Sequence, residues 1–408
     1  MDKKTNKASA GKRGDTVRSD CYIEIEIQRA GDLKIDLQSK VKSMYGASIK
    51  KQIEEMGKFF NLNHAKIVVE DNGALPFVIA ARFEAAYKRI IPDEEKEFLL
   101  PMLKQNRYQS EKNKLRRSRL YLPGNEPKFF LNAGLHKPDS IILDLEDSVA
   151  PSEKDAARIL VRNALRSVDY YGCERMVRIN QGQKGIEDLK FIIPHNVNVV
   201  LIPKCELPEK VLETILEIKK LKTEHRIKNE VYLMPIIESA KGIIHAYEIA
   251  SASPNVCALA IGLEDYTADI GTQRTLEGKE SLFARSMIVN AAKAAGVQAI
   301  DTVFSDVTNM EGLKESVLGA KSLGFEGKGC IHPRQIQVVH EAFAPTIDEI
   351  IKAKKIVMAF EDAKKRGLGI VALGSKMIDA PIVKRAQKTI ELALLNNIIT
   401  ENWRNEIN

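Results

Sequence analysis

Eight short apolar runs between residues 119 and 333 limit the possible folds of this chain more than any other feature. The runs are RLYLPG, SIILDLED, RMVRIN, VNVVLIPK, VYLMPIIES, VCALAIGLED, QAIDTVFSD and KGCIHP. They have the length of buried strands, and stretches with helical patterning separate them. Alternating strands and helices favour a parallel sheet, and eight such units predict a (β/α)8 TIM barrel within an α/β fold.

Polar residues cluster around these runs, mostly where a run ends. They are Arg119, Asp144, Glu146, Asp147, Arg178, Asn180, Lys204, Glu206, Glu238, Glu264, Asp265 and His332. In a (β/α)8 barrel, the loops that follow the strands converge on one rim and carry the chemistry. Carboxylates outnumber histidines here, which favours a hard cation such as Mg²⁺ with one or two carboxylate ligands.

Glu238 and Asp265 follow neighbouring predicted strands, so both could face a single ion. An arginine at this rim is suited to holding a substrate carboxylate with two hydrogen bonds. Each residue also has an ordinary structural alternative, because acids after strands cap helices and Arg178 could belong to a structural ion pair. The residue pattern leaves these alternatives open.

Other classes of protein are disfavoured by what the sequence contains and lacks. No Walker loop, Rossmann glycine motif or nucleophile elbow occurs, which argues against nucleotide hydrolysis, hydride transfer and serine hydrolysis. Of the net charge of +7, residues 1–20 carry +3 and residues 92–118 carry +2, so we expect no nucleic-acid-binding face. Five scattered cysteines suggest reduced, buried thiols, and we expect a cytoplasmic protein without membrane segments.

The chain divides into three parts by composition. Residues 1–91 alternate apolar and polar residues in CYIEIEIQ and LKIDLQS, and FVIAARFEAAYKRI reads as a strand passing into a helix, which predicts a small α+β domain. Residues 92–115 are charged and contain two prolines, as expected for a flexible linker with some helix. Residues 116–408 hold the barrel and a C-terminal helical extension.

The larger part resembles the citrate lyase beta subunit family of Mg²⁺-dependent barrel lyases, which also includes malyl-CoA lyases. The resemblance rests on RSRLYLPGNEPKFFLNA, SIILDLEDSVAPSEKDAAR, RMVRIN, LIPK, IIESAKGI, GLEDYTADIG, GKGCIHPRQI and GSKMIDAPIVKRA, in this order over about residues 116–395. It implies cleavage of a citryl thioester, on CoA or on an acyl carrier protein, into oxaloacetate and an acetyl thioester.

Site residues follow from this resemblance position by position. Glu238 and Asp265 match the metal ligands, Arg119 and Arg178 match residues that hold substrate carboxylates, and Lys204 is included in the substrate-binding set. Glu146 and Asp147 match acids that bind metal-bound water and neighbouring basic groups. Asp379 matches an acid that reaches the active site of a neighbouring subunit and is a candidate to protonate the acetyl carbon. From the sequence alone, a helix cap before Ala-Pro is the favoured role for Asp379, and the resemblance reverses that preference.

The first domain resembles the citrate lyase gamma subunit, a small acyl carrier protein, over about residues 10–90, most specifically in DNGALPFVIAARFEAA. In that family, a serine before the first strand carries a phosphoribosyl-dephospho-CoA arm. Arg18 aligns with that serine here and Ser19 follows it, so the arm is either attached to Ser19 or absent.

Together, these patterns predict a fused carrier and lyase that forms a homo-oligomer, such as a trimer or a multiple of it. A separate citrate lyase alpha subunit, a transferase, would be needed to form the citryl thioester of the carrier from free citrate. The alternative prediction is a malyl-CoA or citramalyl-CoA lyase, or a thioesterase, acting on free CoA thioesters. A scaffold without turnover is disfavoured because the acidic and basic set is intact.

Overall fold

The computed structural model describes residues 5–365, 371–373 and 376–404. Its larger part is the predicted closed barrel of eight parallel strands. These strands are β5 (Ser118–Pro123), β6 (Ser140–Asp144), β7 (Glu174–Arg178), β8 (Val199–Ile202), β9 (Tyr232–Ile237), β10 (Ala258–Ile261), β11 (Gln298–Asp301) and β12 (Gly327–Cys330). All eight apolar runs therefore form barrel strands, as predicted.

Helices surround the barrel and connect successive strands. They are α3 (Pro127–Phe130), α4 (Lys154–Ser167), α5 (Gly182–Ile192), α6 (Pro208–Glu224), α7 (Ala240–Ile244), α8 (Ala246–Ser251), α9 (Leu263–Asp269), α10 (Leu282–Ala294), α11 (Met310–Leu323) and α12 (Arg334–Phe343). Short 3₁₀ turns cover Lys104–Asn106, Ala133–His136, Pro151–Glu153 and Ile193–His195.

Apolar side chains fill the inside of the barrel. Ile142, Met176, Leu201 and Met234 belong to one fully buried cluster there. The strands are therefore covered on both faces, by this cluster and by the helices, which explains their unbroken apolar sequences. A filled interior leaves only the rim at the carboxyl ends of the strands for polar chemistry.

The first domain is a four-stranded sheet with two helices. It consists of β1 (Lys7–Gly11), β2 (Cys21–Ile27), β3 (Leu33–Ser39), α1 (Lys42–Phe59), β4 (Ala65–Asp71) and α2 (Pro76–Ile90). The sheet order is β1-β2-β4-β3; β3 pairs with β4 in parallel, and the other two pairs are antiparallel.

Two expectations for this domain were wrong. Residues 7–11, for which no strand was predicted, form an edge strand that pairs with β2 along its whole length. The stretch from Phe77 to Ala81 is helical rather than extended, since α2 begins at Pro76 and most of its residues are buried. A helix buried on nearly all sides has the same continuous apolar sequence as a buried strand.

The two domains share one continuous hydrophobic core, with α2 packed along α4. A buried ion pair crosses this contact, where the Arg162 guanidinium donates to both carboxylate oxygens of Glu84 at 2.9 and 2.8 Å. Residues 92–115 are not a detached linker. Their Asn106 is fully buried and donates to the carbonyl oxygens of Leu165 and Val168, at 3.1 and 2.6 Å.

A C-terminal hairpin follows the barrel. It contains α13 (Ile347–Lys365), β13 (Val371–Leu373), β14 (Lys376–Ile378) and α14 (Ala380–Leu395). α13 and α14 pack on each other around a separate apolar cluster that includes Ile356, Val383 and Trp403. Among the described residues, no helix has both the length and the apolar character that crossing a membrane requires. All five cysteines are buried and unpaired.

Candidate active site

A cavity of about 480 Å³ opens at the carboxyl ends of the barrel strands. Its walls include residues from the predicted site set, namely Arg119, Asp147, Arg178, Glu238 and Asp265. Tyr121, Asp144, Gly262 and Thr302 also line it. The structure therefore brings the two predicted metal ligands and both predicted substrate arginines to one cavity.

Glu238 and Asp265 both contact Lys204, one at its backbone N–H and the other at its ammonium. Glu238 comes directly after β9, and its carboxylate accepts a hydrogen bond from the Lys204 backbone N–H at 2.8 Å. Asp265 lies in the first turn of α9, and its Oδ1 is 3.4 Å from the Lys204 ammonium. Gly262 makes room for this arrangement, since a Cβ there would lie 2.6 Å from Glu238 Oε2.

The surroundings of Glu238 shift its pKa upward. Burial and, to a smaller extent, the negative charge of Asp265 raise the pKa of Glu238 to about 7, although the hydrogen bond from the Lys204 N–H lowers it. A second acid, Glu146, is also buried, and burial raises its pKa as well. A divalent cation between such carboxylates would relieve both effects.

The donor set fits Mg²⁺. Among the described residues, no three acids, histidines or cysteines converge into a complete metal cage. An ion at this position would therefore take Glu238 and Asp265 as protein ligands and complete its shell with water and substrate oxygens. Mg²⁺ binds in this manner, with few carboxylates and retained open positions.

Arg178 is held rigidly at the end of β7. Its Nε and Nη2 donate to the two oxygens of Asp144 at 2.6 and 2.7 Å, and its Nη1 lies 3.1 Å from Glu146 Oε2. Burial alone would raise the pKa of Asp144, but the hydrogen bonds and charge of Arg178 hold that pKa below its usual value. The sequence pattern predicted Asp144 as a polar residue at a strand end but not as the partner that orients Arg178.

Arg119 is the most deeply buried cation of the cavity. It is 2% exposed, its Nη1 contacts the Met234 sulfur at 3.0 Å, and its Nε has no hydrogen-bond partner among the described residues. Burial lowers its pKa. A buried guanidinium that forms no ion pair among the described residues is suited to receive a substrate anion.

Glu146, Asp147 and Lys204 form a polar cluster beside Arg178, and Asp147 is the member that lines the cavity. Glu146 Oε1 accepts a hydrogen bond from Gln181 at 2.7 Å and lies 4.0 Å from the Lys204 ammonium. Asp147 is more exposed, with an oxygen 3.7 Å from Arg178 Nη1. The Lys204 backbone has a φ of +45°, which points its ammonium and its N–H toward two different carboxylates.

Several other rim residues have structural roles. Glu264 pairs with Arg274 at 2.6 Å, and Asp269 accepts from the N–H of Ala240 at the start of α7 at 2.7 Å. Glu206 pairs with Lys241 at 3.5 Å, and His332 Nδ1 accepts from the N–H of Arg334 at 3.1 Å. The observed contacts of these residues are therefore structural ion pairs and local hydrogen bonds.

Four predicted residues are not part of the cavity lining, namely Glu146, Lys204, Asp379 and Ser19. Asp379 caps α14, where its carboxylate accepts a hydrogen bond from the Ile382 N–H at 3.2 Å. Ser19 lies in a turn of the first domain with a φ of +55°, and its N–H donates to the Asn72 carbonyl at 3.0 Å. The neighbouring Arg18 is exposed.

Comparison with known proteins matches each domain to a family. Residues 117–333 match the HpcH/HpaI aldolase/citrate lyase family, and residues 7–90 match a family described as malonate decarboxylase delta subunit.

Individual relatives agree with the first match. The citrate lyase subunit beta of Haemophilus influenzae is 45% identical over 286 residues, which are 69% of this chain and 97% of that protein. The human mitochondrial citramalyl-CoA lyase is 33% identical over 68% of this chain and 85% of its own length. A crystal structure of the Mycobacterium tuberculosis protein CitE with magnesium, acetoacetate and coenzyme A has a TM-score of 0.57 and 29% identity, covering 69% of this chain and 99% of that one.

Proposed function

This chain belongs to the HpcH/HpaI aldolase/citrate lyase family and is a carbon–carbon lyase, and from this premise we propose that it cleaves a citryl thioester with Mg²⁺. The observation that carries the proposal is the pair Glu238 and Asp265 at the cavity, where two carboxylates from neighbouring strands lie beside the arginines that suit a carboxylate substrate. The products would be oxaloacetate and an acetyl thioester.

The proposed reaction is a retro-Claisen cleavage. The carbinol of the citryl group loses its hydroxyl proton and becomes a ketone, while the broken C–C bond leaves its electron pair on the acetyl carbon, which then takes a proton. Bound Mg²⁺ supplies Lewis-acid stabilisation of the developing oxygen charge. Arg119 and Arg178 bind the carboxylates and orient the bond that breaks. Glu146 and Asp147 hold water and basic groups at the wall.

Asp379 of a second copy is the proposed proton donor to the acetyl carbon. Within one chain, Asp379 caps α14 on a hairpin that packs around its own core, so it does not line the cavity of the same chain. We therefore propose a homo-oligomer, such as a trimer or its multiple. Mixing Asp379→Asn with Glu238→Gln protein should restore activity in hetero-oligomers. Two inactive variants that stay inactive after mixing and reassembly would contradict this arrangement.

The first domain is the proposed acyl carrier. Its match to a carrier-type family and the exposed turn before β2 support an arm on Ser19, with a separate citrate lyase alpha subunit loading citrate onto it and the complex residing in the cytoplasm. Intact-mass measurement of protein from its native cell tests the arm. An added mass of several hundred daltons that Ser19→Ala abolishes is expected, and an unmodified chain favours free CoA thioesters.

The decisive assay offers citryl-CoA and malyl-CoA to purified protein with and without Mg²⁺. We expect oxaloacetate from citryl-CoA and loss of turnover on chelation of Mg²⁺. A preference for malyl-CoA over citryl-CoA would contradict the proposal and would agree with the similarity to a citramalyl-CoA lyase. Release of free citrate instead of oxaloacetate would identify a thioesterase.

A further inference from the structure

The first domain touches the rim of the barrel through a buried arginine, Arg82. Arg82 lies on α2, is 1% exposed, and binds both carboxylate oxygens of Asp20 through its Nε and Nη2 at 2.9 and 2.8 Å. The same Nη2 also donates to the backbone carbonyl of Asn125 at 3.1 Å. Asn125 belongs to the loop after β5, on the catalytic side of the barrel. One guanidinium therefore joins the turn at Ser19 and Asp20 to the catalytic rim.

From this loop, hydrogen bonds continue into the cavity. The N–H of Gly124, next to Asn125, donates to the carbonyl of Asp144 at 2.8 Å. Gly124 lies so close to Asp144 that a Cβ would collide with its carbonyl oxygen, so the loop and the end of β6 are in direct contact. Asp144 in turn holds Arg178 with two hydrogen bonds.

A second contact anchors the same loop. The ammonium of Lys12 pairs with Glu126, so both residues that follow Gly124 are bound to the first domain. The rest of the domain contact lies elsewhere, on α4. There, Arg89 binds Asp155 through two hydrogen bonds of 2.7 Å and accounts for a separate part of the docking.

We propose that Arg82 is a positioning residue through which the first domain fixes the geometry of Arg178 in the barrel cavity. The argument rests on the proposed function for its activity assay, since Arg178 is there the ligand of a substrate carboxylate. The first domain would then help to hold the active-site residues in position, in addition to any role as a carrier. If the contacts of Arg82 were weakened, the 124–126 loop could shift and displace Asp144, which it contacts. Arg178 would then lose its position, because the Asp144 carboxylate holds it.

Arg82→Lys tests this proposal because it keeps the charge opposite Asp20 and removes the fork that also reaches Asn125. Arg89→Met is the matched control, since it removes an arginine of the same helix that docks the same two domains without touching the 124–126 loop. We expect Arg82→Lys to raise the KM for citryl-CoA about five- to tenfold, and Arg89→Met to change it less than twofold. Partial unfolding lowers the apparent kcat but not KM, so the KM change separates positioning from stability.

A double-mutant cycle locates the effect. In an Arg178→Lys background, Arg82→Lys should add less than a twofold change in KM, because the group it positions is gone. A further five- to tenfold loss in that background would overturn the proposal, as would an unchanged KM in Arg82→Lys or an equal rise in Arg89→Met.

A readout without turnover keeps the proposal independent of the reaction. The Nε–H of Arg178, bonded to Asp144 at 2.6 Å, gives a nitrogen-15 NMR signal that is assigned by its loss in Arg178→Lys. That signal should shift in Arg82→Lys and stay in place in Arg89→Met. If the wild-type protein fails to cleave citryl-CoA, the proposed function falls while this comparison still decides the role of Arg82. Asp20→Glu, which moves the fork partner by one methylene, replaces Arg82→Lys if that variant does not fold.

Discussion

Two clusters of acids and cations lie on the barrel, and they differ in charge balance. In the first, Asp301 at the end of β11 is bound by Lys328 at 2.7 Å and by two 3.1 Å hydrogen bonds from Arg285. Burial alone would raise the pKa of Asp301, but the charges of Lys328 and Arg285 hold it below its usual value. Two cations therefore contact this one carboxylate.

The second cluster has the opposite balance. The Lys204 ammonium lies 3.4 Å from Asp265 and 4.0 Å from Glu146, the Lys204 backbone N–H donates to Glu238, and the pKa of Glu238 rises to about 7. The same residue types therefore have different roles in the two clusters. A balanced cluster stabilises the fold, whereas a cluster with surplus carboxylates is suited to an exogenous cation. The following predictions test this contrast.

The largest effect is expected from the proposed metal ligands. Asp265→Asn removes one of two carboxylate ligands and should lower kcat/KM for citryl-CoA at least about a thousandfold, or roughly 4 kcal/mol of transition-state stabilisation. Its apparent requirement for Mg²⁺ should rise in parallel. Glu206→Gln, a rim acid that pairs with Lys241 outside the cavity, is the matched control and should stay within threefold of wild type.

Removing a cation from the balanced cluster should affect stability instead. Lys328→Met leaves Asp301 buried without its closest cation and should lower the free energy of unfolding by about 3–5 kcal/mol in denaturant titrations. Lys293→Met breaks an exposed pair with Glu326 and should cost less than about 1 kcal/mol. If Lys328→Met abolished Mg²⁺ binding without loss of stability, the contrast between the clusters would be wrong.

The two clusters should also respond oppositely to pH. The pKa of Glu238 is about 7 in the folded chain and near 4.5 when unfolded, so the folded state holds an extra proton between these values. Its contribution to stability is present below pH 4.5 and is lost as the pH rises through 7. The lowered pKa of Asp301 gives a contribution that is lost as the pH falls instead.

Comparison with Glu238→Gln isolates the first effect. In buffer without Mg²⁺, the stability of Glu238→Gln relative to wild type should increase on the order of 3 kcal/mol between pH 4.5 and 8. Saturating Mg²⁺ should remove most of this increase, because it stabilises the ionised wild-type carboxylate. A difference that is independent of pH in Mg²⁺-free buffer would show that Glu238 is ionised without a cation.

The smallest effect is expected from Lys204, which contacts both proposed metal ligands. Lys204→Met removes the cation that neutralises part of the cluster, so Mg²⁺ should bind about threefold more tightly in calorimetric titrations. Lys241→Met changes a rim cation outside the cavity and should leave the affinity unchanged. Weaker binding in Lys204→Met would mean that its contacts mainly hold the two carboxylates in place.

Much of the fold could be predicted from local sequence patterns, because each barrel strand is a short apolar run ended by polar residues. The errors lie in the first domain. There the buried α2 looked like a strand at Phe77, and β1 has no apolar pattern because it is an edge strand. The contact between the domains was not predicted either, since Glu84 and Arg162 are 78 residues apart and only docking makes them partners.

The sequence by itself determined which side chains stand at the barrel rim, because strand length and polarity place the strand ends. Only the tertiary structure decided their charge state and partners. Asp301 and Glu238 are both acids at strand ends, yet Asp301 is neutralised by Lys328 and Arg285, whereas Glu238 is buried near the negative charge of Asp265. The physical reason is that electrostatic energy depends on the distances and burial of groups far apart in the chain, which no local pattern encodes.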